Sequence, residues 1–262
     1  MSKLAPEDKF IDFSDYGRPI AKKIAAILKN TKATPIHITL AFGVSGLLAI
    51  YFIFEDYYWA AAFFLILKSI LDAADGELSR QKNTPSYVGR YLDSIFDILL
   101  NFLILFSIGM LTHASLLLTL FAFICVQLQG TLYNYYYVIL RNITIGGDNT
   151  SKVFEQKAPM AFAGEKQNTV NIMFMIFNVL YGFFDRFVQA LDTNAHRSKN
   201  YPNWFMSLIS IYGLGFQLLL VSALLVLGYL HFILPFFVGY TVLLPIMITI
   251  RKSLNPYSIR SS

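Results

Sequence analysis

Charge is scarce in this 262-residue chain, where Lys, Arg, Asp and Glu together make up only 14% of the residues, against about 25% in ordinary soluble domains. Hydrophobic residues make up 56%, so too little polar surface remains to clothe a water-soluble core, and that class is excluded. Cysteine is nearly missing. Cys125 is the only one and lies within an apolar run, which rules out disulfides and a cysteine-rich metal site. The four histidines, His37, His113, His196 and His231, include no two at metal-ligand spacing, so any metal must be held by oxygen. Residues 1–30 mix Lys3, Lys9, Arg18, Lys22, Lys23 and Lys29 with acids and contain neither the continuous apolar stretch nor the small-residue cleavage site of a signal peptide. Internal repeats and low-complexity tracts are lacking. No basic and aromatic surface stands apart from the apolar runs, so the net charge of +5 points to membrane association and not to nucleic acid.

The chain does have long apolar runs. Spans are expected at about 36–54, 57–74, 91–111, 114–138, 204–227 and 230–250, each near the roughly 17 to 25 residues a helix needs to cross hydrocarbon. A shorter run at 170–187 either crosses, giving seven spans, or lies in the interface, giving six. Lys and Arg concentrate in short cytoplasmic loops. With six spans, the external turns near Glu55, His113 and Gly228 carry no Lys or Arg, and every basic residue except Lys68 becomes cytoplasmic; six is therefore the expectation. Ahead of the spans, Phe10, Ile11, Phe13, Ile20, Ile24, Ile27 and Leu28 alternate with Lys22, Lys23 and Lys29, and Pro19 suits a helix start. This predicts an amphipathic helix lying on the membrane surface. The expected fold is an all-α, polytopic membrane helix bundle. Residues 1–33 form a cytoplasmic juxtamembrane segment and 34–255 the transmembrane domain.

Between the second and third spans runs LDAADGELSRQKNTPSYVGRYLDSIFD. Asp72 and Asp75 are three apart, and Asp93 and Asp97 four apart, so each pair projects from one helix face. A charge at membrane depth costs at least about 2.5 kcal/mol on the lowest scale, and four demand compensation. Divalent cations between the two pairs supply it, and all-oxygen coordination suits Mg²⁺ or Mn²⁺. Two ions are the economical reading. Gly76, four residues after Asp72, and Gly89, four before Asp93, clear the carboxylate face for a nucleotide or a neighbouring backbone. Arg80 is two turns beyond Asp72 on the same face, where its fork suits a phosphate or the cytosine edge. Arg90 aligns with Asp93 and Asp97; it either contacts ligand or merely neutralises the acids.

The segment 72–97 reads D-x2-D-G-x2-S-R-x8-G-x3-D-x3-D, which resembles the signature of the CDP-alcohol phosphatidyltransferase family, with Ser79 where the family usually has alanine. The Thr34-Pro35 opening of the first span is a weaker likeness, because Ile36 stands at the family's usual asparagine. The resemblance implies that Asp72, Asp75 and Asp93 ligate metals, that Asp97 ligates and acts as general base, and that Gly76 and Arg80, with Asp72 and Gly89, contact the CDP moiety. It also implies a homodimer. The implied reaction is attack of an alcohol on the β-phosphorus of a CDP-linked donor, releasing CMP. That donor is CDP-diacylglycerol with a polar alcohol acceptor, or a soluble CDP-alcohol with a lipid acceptor. The partners are thus donor, acceptor and membrane lipid, in a multi-pass protein of a prokaryotic cell membrane whose site faces the cytoplasm. A divalent-cation transporter would also bury carboxylates, but it gives no reason for Gly76, Arg80 and Gly89 at this spacing.

Outside the motif, Lys68 precedes Asp72 by one turn and either balances the acids or snorkels. Gln127, Gly130, Asn134 and Arg141 form a polar stripe suited to a cavity wall or to interhelical hydrogen bonds. Tyr133, Tyr135, Tyr136 and Tyr137 read as an interfacial aromatic belt, and Lys152, Lys157 and Lys166 as positive-inside charge. The loop 141–169 is long enough to cover a site. Its two sequons, at Asn142 and Asn149, are set aside as chance matches on the cytoplasmic side.

Overall fold

A computed structural model describes residues 9–145, 155–198 and 201–254, and these form helices and connecting turns with no strand among them. In chain order the helices are α1 (Arg18–Leu28), α2 (Pro35–Phe54), α3 (Tyr58–Lys82), α4 (Tyr87–Leu111), α5 (Leu116–Ile145), α6 (Gln167–Leu191), α7 (Asn203–Ile209), α8 (Leu214–Val226), α9 (Ile233–Tyr240) and α10 (Leu243–Ser253). The residues outside this description include Asn149 and Lys152, named above.

Local sequence sets the helix ends. Thr34 caps α2 in a reciprocal box with His37, and Pro35 occupies the first turn, where its missing N–H costs nothing. Ser86 caps α4 by accepting from the Gly89 N–H at 2.8 Å. Asn83 closes α3 in a left-handed conformation (φ 52°), which asparagine tolerates better than most residues. The turns after α2 and α4 use Asp56 (φ 57°) and His113 (φ 51°) in the same way. Such short connections leave α2, α3, α4 and α5 as antiparallel neighbours. His37 is thus a capping residue.

By length and composition α2, α4, α5, α6 and the α9–α10 stretch are candidate membrane spans, and α7 with α8, bent by 51°, makes a sixth. The chain is an integral membrane helix bundle. Helix α3 is less apolar because Lys68, Asp72 and Asp75 fall in it, yet it runs between apolar neighbours. The Ser45 hydroxyl of α2 donates to the Phe64 carbonyl at 2.8 Å, and on the other side the Ser222 hydroxyl of α8 faces the Ala62 carbonyl. Its charged residues face inward.

Helix α6 contains the ambiguous run 170–187. Gly109 against Thr119 and Phe102 against Phe123 set α4 and α5 antiparallel, which places Tyr91 and Tyr136 at one level. Near its start α6 packs Val170 on Tyr91 and Ile95. Just past its end, Asp192 accepts from the Tyr136 hydroxyl at 2.8 Å. Although long and apolar enough to cross, α6 therefore leans over the α4–α5 pair and finishes at the end of the bundle where it began. Arg251, at the end of α10, meets the same Asp192. The N-terminal segment joins this end too, since the Phe13 N–H donates to Ser210 Oγ at 2.9 Å.

The aromatic run departs from expectation. Tyr133, Tyr135 and Tyr136 are buried, because α5 is surrounded there by α6, α7 and α10; Tyr135 and Tyr136 both bond Asp192. They form core and not an interfacial belt. Helix α1 packs Ala21 and Ala25 on Ala74 and Leu78 of α3 and leaves Ile20 and Ile27 exposed.

Candidate active site

The lower halves of α3, α4 and α5, the start of α8 and the N-terminal segment enclose a cavity of about 430 Å³. Asp72, Asp75, Asp93 and Asp97 all line it, as do Gly76, Arg80 and Arg90. The three- and four-residue spacings place the carboxylates on facing helix sides, as the sequence predicts.

Asp72, Asp75 and Asp93 each offer an oxygen such that the three lie within 4.8 Å of one another. Carboxylates gathered at this depth repel, and Asp93 Oδ1 is buried without a hydrogen-bond partner. An unpaired anionic oxygen next to two more is what a hard divalent cation would complete, so the residues fit such an ion. Thr39 of α2 donates to Asp75 Oδ2 at 2.7 Å and fixes its rotamer. Nothing in the motif pointed to Thr39; its hydroxyl matters only because α2 lies against α3.

Asp97 stands apart from the other three. Its Oδ1 accepts from Lys68 Nζ at 2.6 Å. Lys68 is 0% exposed and lies over the Phe42 ring, 5.0 Å from its centroid. It does not snorkel; it points across to α4, because the nearest compensating charge is there and not at the membrane surface. Asp97 therefore keeps one oxygen for the cavity while the other is held.

Arg80 donates to Glu77 Oε2 at 2.9 Å, and its Nε is buried without a partner. Arg18, from α1, bonds Asp15 at 2.6 Å and approaches the same Glu77 carboxylate at 3.6 Å. Gly76 lies against Arg80, where an added side chain would meet Arg80 Nη1 at 3.5 Å, an ordinary contact; the Arg80 position does not by itself require glycine there. Gly89 lies outside the cavity lining. A side chain there would press on Ser86 Oγ at 3.1 Å, so in this structure the glycine serves the α4 cap. Arg90 pairs with Glu155 and stacks on Tyr91, 4.5 Å from its ring centroid.

The described part of the 141–169 loop docks on the start of α4. Phe162 stacks on Tyr87 with centroids 4.6 Å apart, and Glu165 accepts from Ser86 Oγ (2.7 Å) and the N–H groups of Val88 (2.9 Å), Tyr87 and Phe162. Burial raises the Glu165 carboxyl, but these four donors outweigh it and hold the group below its ordinary range. Of the α5 stripe, Gln127, Gly130 and Asn134 line the cavity, whereas Arg141 does not.

Several lining residues escaped the sequence reading. Asp12, Ser14 and Asp15 enter because the N-terminal segment lies across the cavity, where Asp12 accepts from the Tyr133 hydroxyl at 2.6 Å. Gly215 admits this segment closely, since a side chain there would collide with the Ser14 carbonyl. Asn101 is detectable as one turn beyond Asp97; Gln217 of α8 has no such signal.

Residues 32–211 match the family model described as CDP-alcohol phosphatidyltransferase. Comparison with curated protein sequences gives no match.

Proposed function

Because the chain belongs to the CDP-alcohol phosphatidyltransferase family, a group of transferases acting on CDP-alcohols, we propose that its cavity brings a CDP-linked donor and an alcohol together for attack on the β-phosphorus, releasing CMP and forming a phosphodiester. The donor in this reading is CDP-diacylglycerol; a soluble CDP-alcohol donating to a lipid acceptor uses the same residues. The observation that carries it is the convergence of three carboxylates, a fourth tied to a buried lysine, and arginines on one cavity.

Asp72, Asp75 and Asp93 would hold Mg²⁺ or Mn²⁺, which when bound would supply charge neutralisation at the pyrophosphate. Arg80, with Gly76 beside it, grips the donor's phosphates or cytosine. Arg18 and Glu77 hold Arg80's surroundings in place. Asp97 receives the acceptor hydroxyl's proton on the oxygen that Lys68 leaves unbound, and Lys68 keeps that carboxylate aimed. The site faces the cytoplasm, so a water-soluble nucleotide and a lipid-soluble chain meet at the boundary without leaving their own solvents. The enzyme works as a homodimer in a prokaryotic cell membrane.

Purified protein incubated with a CDP-linked donor and an alcohol is expected to release CMP only with Mg²⁺ or Mn²⁺ present, and to stop when EDTA is added. CMP release undiminished by EDTA would remove the metal from this reading; no CMP from any CDP-diacylglycerol or CDP-alcohol donor would remove the reaction.

A further inference from the structure

The deep wall of the cavity differs from its mouth. One helical turn beyond Asp97 stands Asn101, and α5 and α8 bring Gln127 and Gln217 to the same wall. These side chains are 8%, 5% and 3% exposed. Gln217 is satisfied, donating to the Val126 carbonyl at 3.1 Å and to Gln129 Oε1 at 3.0 Å. Gln127 is not: its buried Nε2 has no hydrogen-bond partner. Native structures leave few buried donors unmet, and an amide that lines a cavity is completed by the ligand that enters.

The same wall lacks free cations among the described lining residues. Lys68 is engaged by Asp97. Arg18, Arg80 and Arg90 lie toward the mouth, each on a carboxylate. A phosphate or carboxylate seated beyond Asp97 would find amides but no compensating charge, an unfavourable place for an anion. Behind Asn101 and Gln217 lies a separate apolar crevice of about 20 Å³ bordered by Ile104, Leu105 and Leu218.

Resting on the transfer reaction above, we infer that Gln127, with Asn101, forms the acceptor subsite and that the acceptor is an uncharged hydroxyl compound. One of its oxygens accepts from the Gln127 amide while the reacting hydroxyl faces Asp97. A water-soluble polyol and a diacylglycerol share this chemistry.

The full chain with Mg²⁺ is assayed for CMP release in three pairings: CDP-diacylglycerol with myo-inositol, CDP-choline with diacylglycerol, and CDP-diacylglycerol with glycerol 3-phosphate. Turnover is expected with myo-inositol or with diacylglycerol, and the productive arm tells a soluble acceptor from a lipid one. Turnover with glycerol 3-phosphate alone overturns the uncharged acceptor and leaves the transfer reaction standing; no CMP in any arm overturns both. In the productive arm Gln127→Met is expected to raise the acceptor KM about 3- to 10-fold, the worth of one neutral hydrogen bond, with the donor KM unchanged. The ligand-free variant should unfold at the same temperature or higher, because an unpaired buried amide has gone. An unchanged acceptor KM, or equal rises in both KM values with a lower unfolding temperature, overturns the subsite.

Discussion

Lys68 and Asp97 show how a membrane chain carries charge at depth. Neither is tolerable alone in apolar surroundings, and each is held by the other at 2.6 Å. Removing one partner of a buried pair typically costs about 3–5 kcal/mol, because the survivor is left uncompensated. Asp97→Asn keeps the shape and a hydrogen-bonding oxygen for Lys68 while removing the proton acceptor. It is expected to lower the rate of CMP release by about 100-fold or more, with donor affinity, read by calorimetric titration, retained. Turnover near the wild-type rate would exclude Asp97 as the base. The aspartates themselves were legible because a spacing of three or four residues can only mean one helix face. Thr39 was not, since its relation to Asp75 depends on which face of α2 meets α3.

At the scale of the element, the start of α4 decides where Asp93 and Asp97 stand. Two acceptors hold it: Ser86 inside the chain turn and Glu165 from 79 residues away. A carboxylate at a helix N-terminus also meets the favourable end of the helix dipole. Glu165→Gln is expected to cost about 1 kcal/mol of stability at neutral pH, on the scale of a lost cap, measured by thermal unfolding in detergent. The folded carboxyl lies below its unfolded value of about 4.3, so its contribution is fully present above that value and is lost as pH falls through the lowered folded value. The gap between wild type and variant should therefore close on acidification below about pH 4. A gap that stays constant down to pH 3 would show that Glu165 acts by packing and not by charge. Ser86 as a cap can be found by pattern; Glu165 cannot, as it reaches α4 only through the fold of the connecting loop.

For the whole molecule, the path of α6 sets the sidedness. Composition makes α6 a span and disqualifies α3, while packing does the reverse. Helix α3 hides its charges against α2, α4 and α8, and α6 ends against Tyr136 at the level where it began. The even number of crossings is testable by impermeant thiol labelling in sealed vesicles, using single cysteines introduced on a Cys125→Ala background. Cysteines at Asp56, His113 and Gly228 should react from one side, and those at Lys157, Asn194 and Lys252 from the other. Labelling of Asn194 together with His113 would mean that α6 crosses.

The sequence by itself determined the solvent, the helical class, the pairing of the aspartates on helix faces and the family resemblance, because a charge deficit, apolar run lengths and a period near 3.6 residues are local and one-dimensional. Tertiary structure alone decided that Asp97 belongs to Lys68, that the tyrosines of α5 are core, that the N-terminal segment closes the cavity, and that an amide wall lies beyond the acids. Each of these joins residues far apart in the chain. Which partner a buried polar group finds is set by which helices become neighbours, and that is a property of packing, not of spacing.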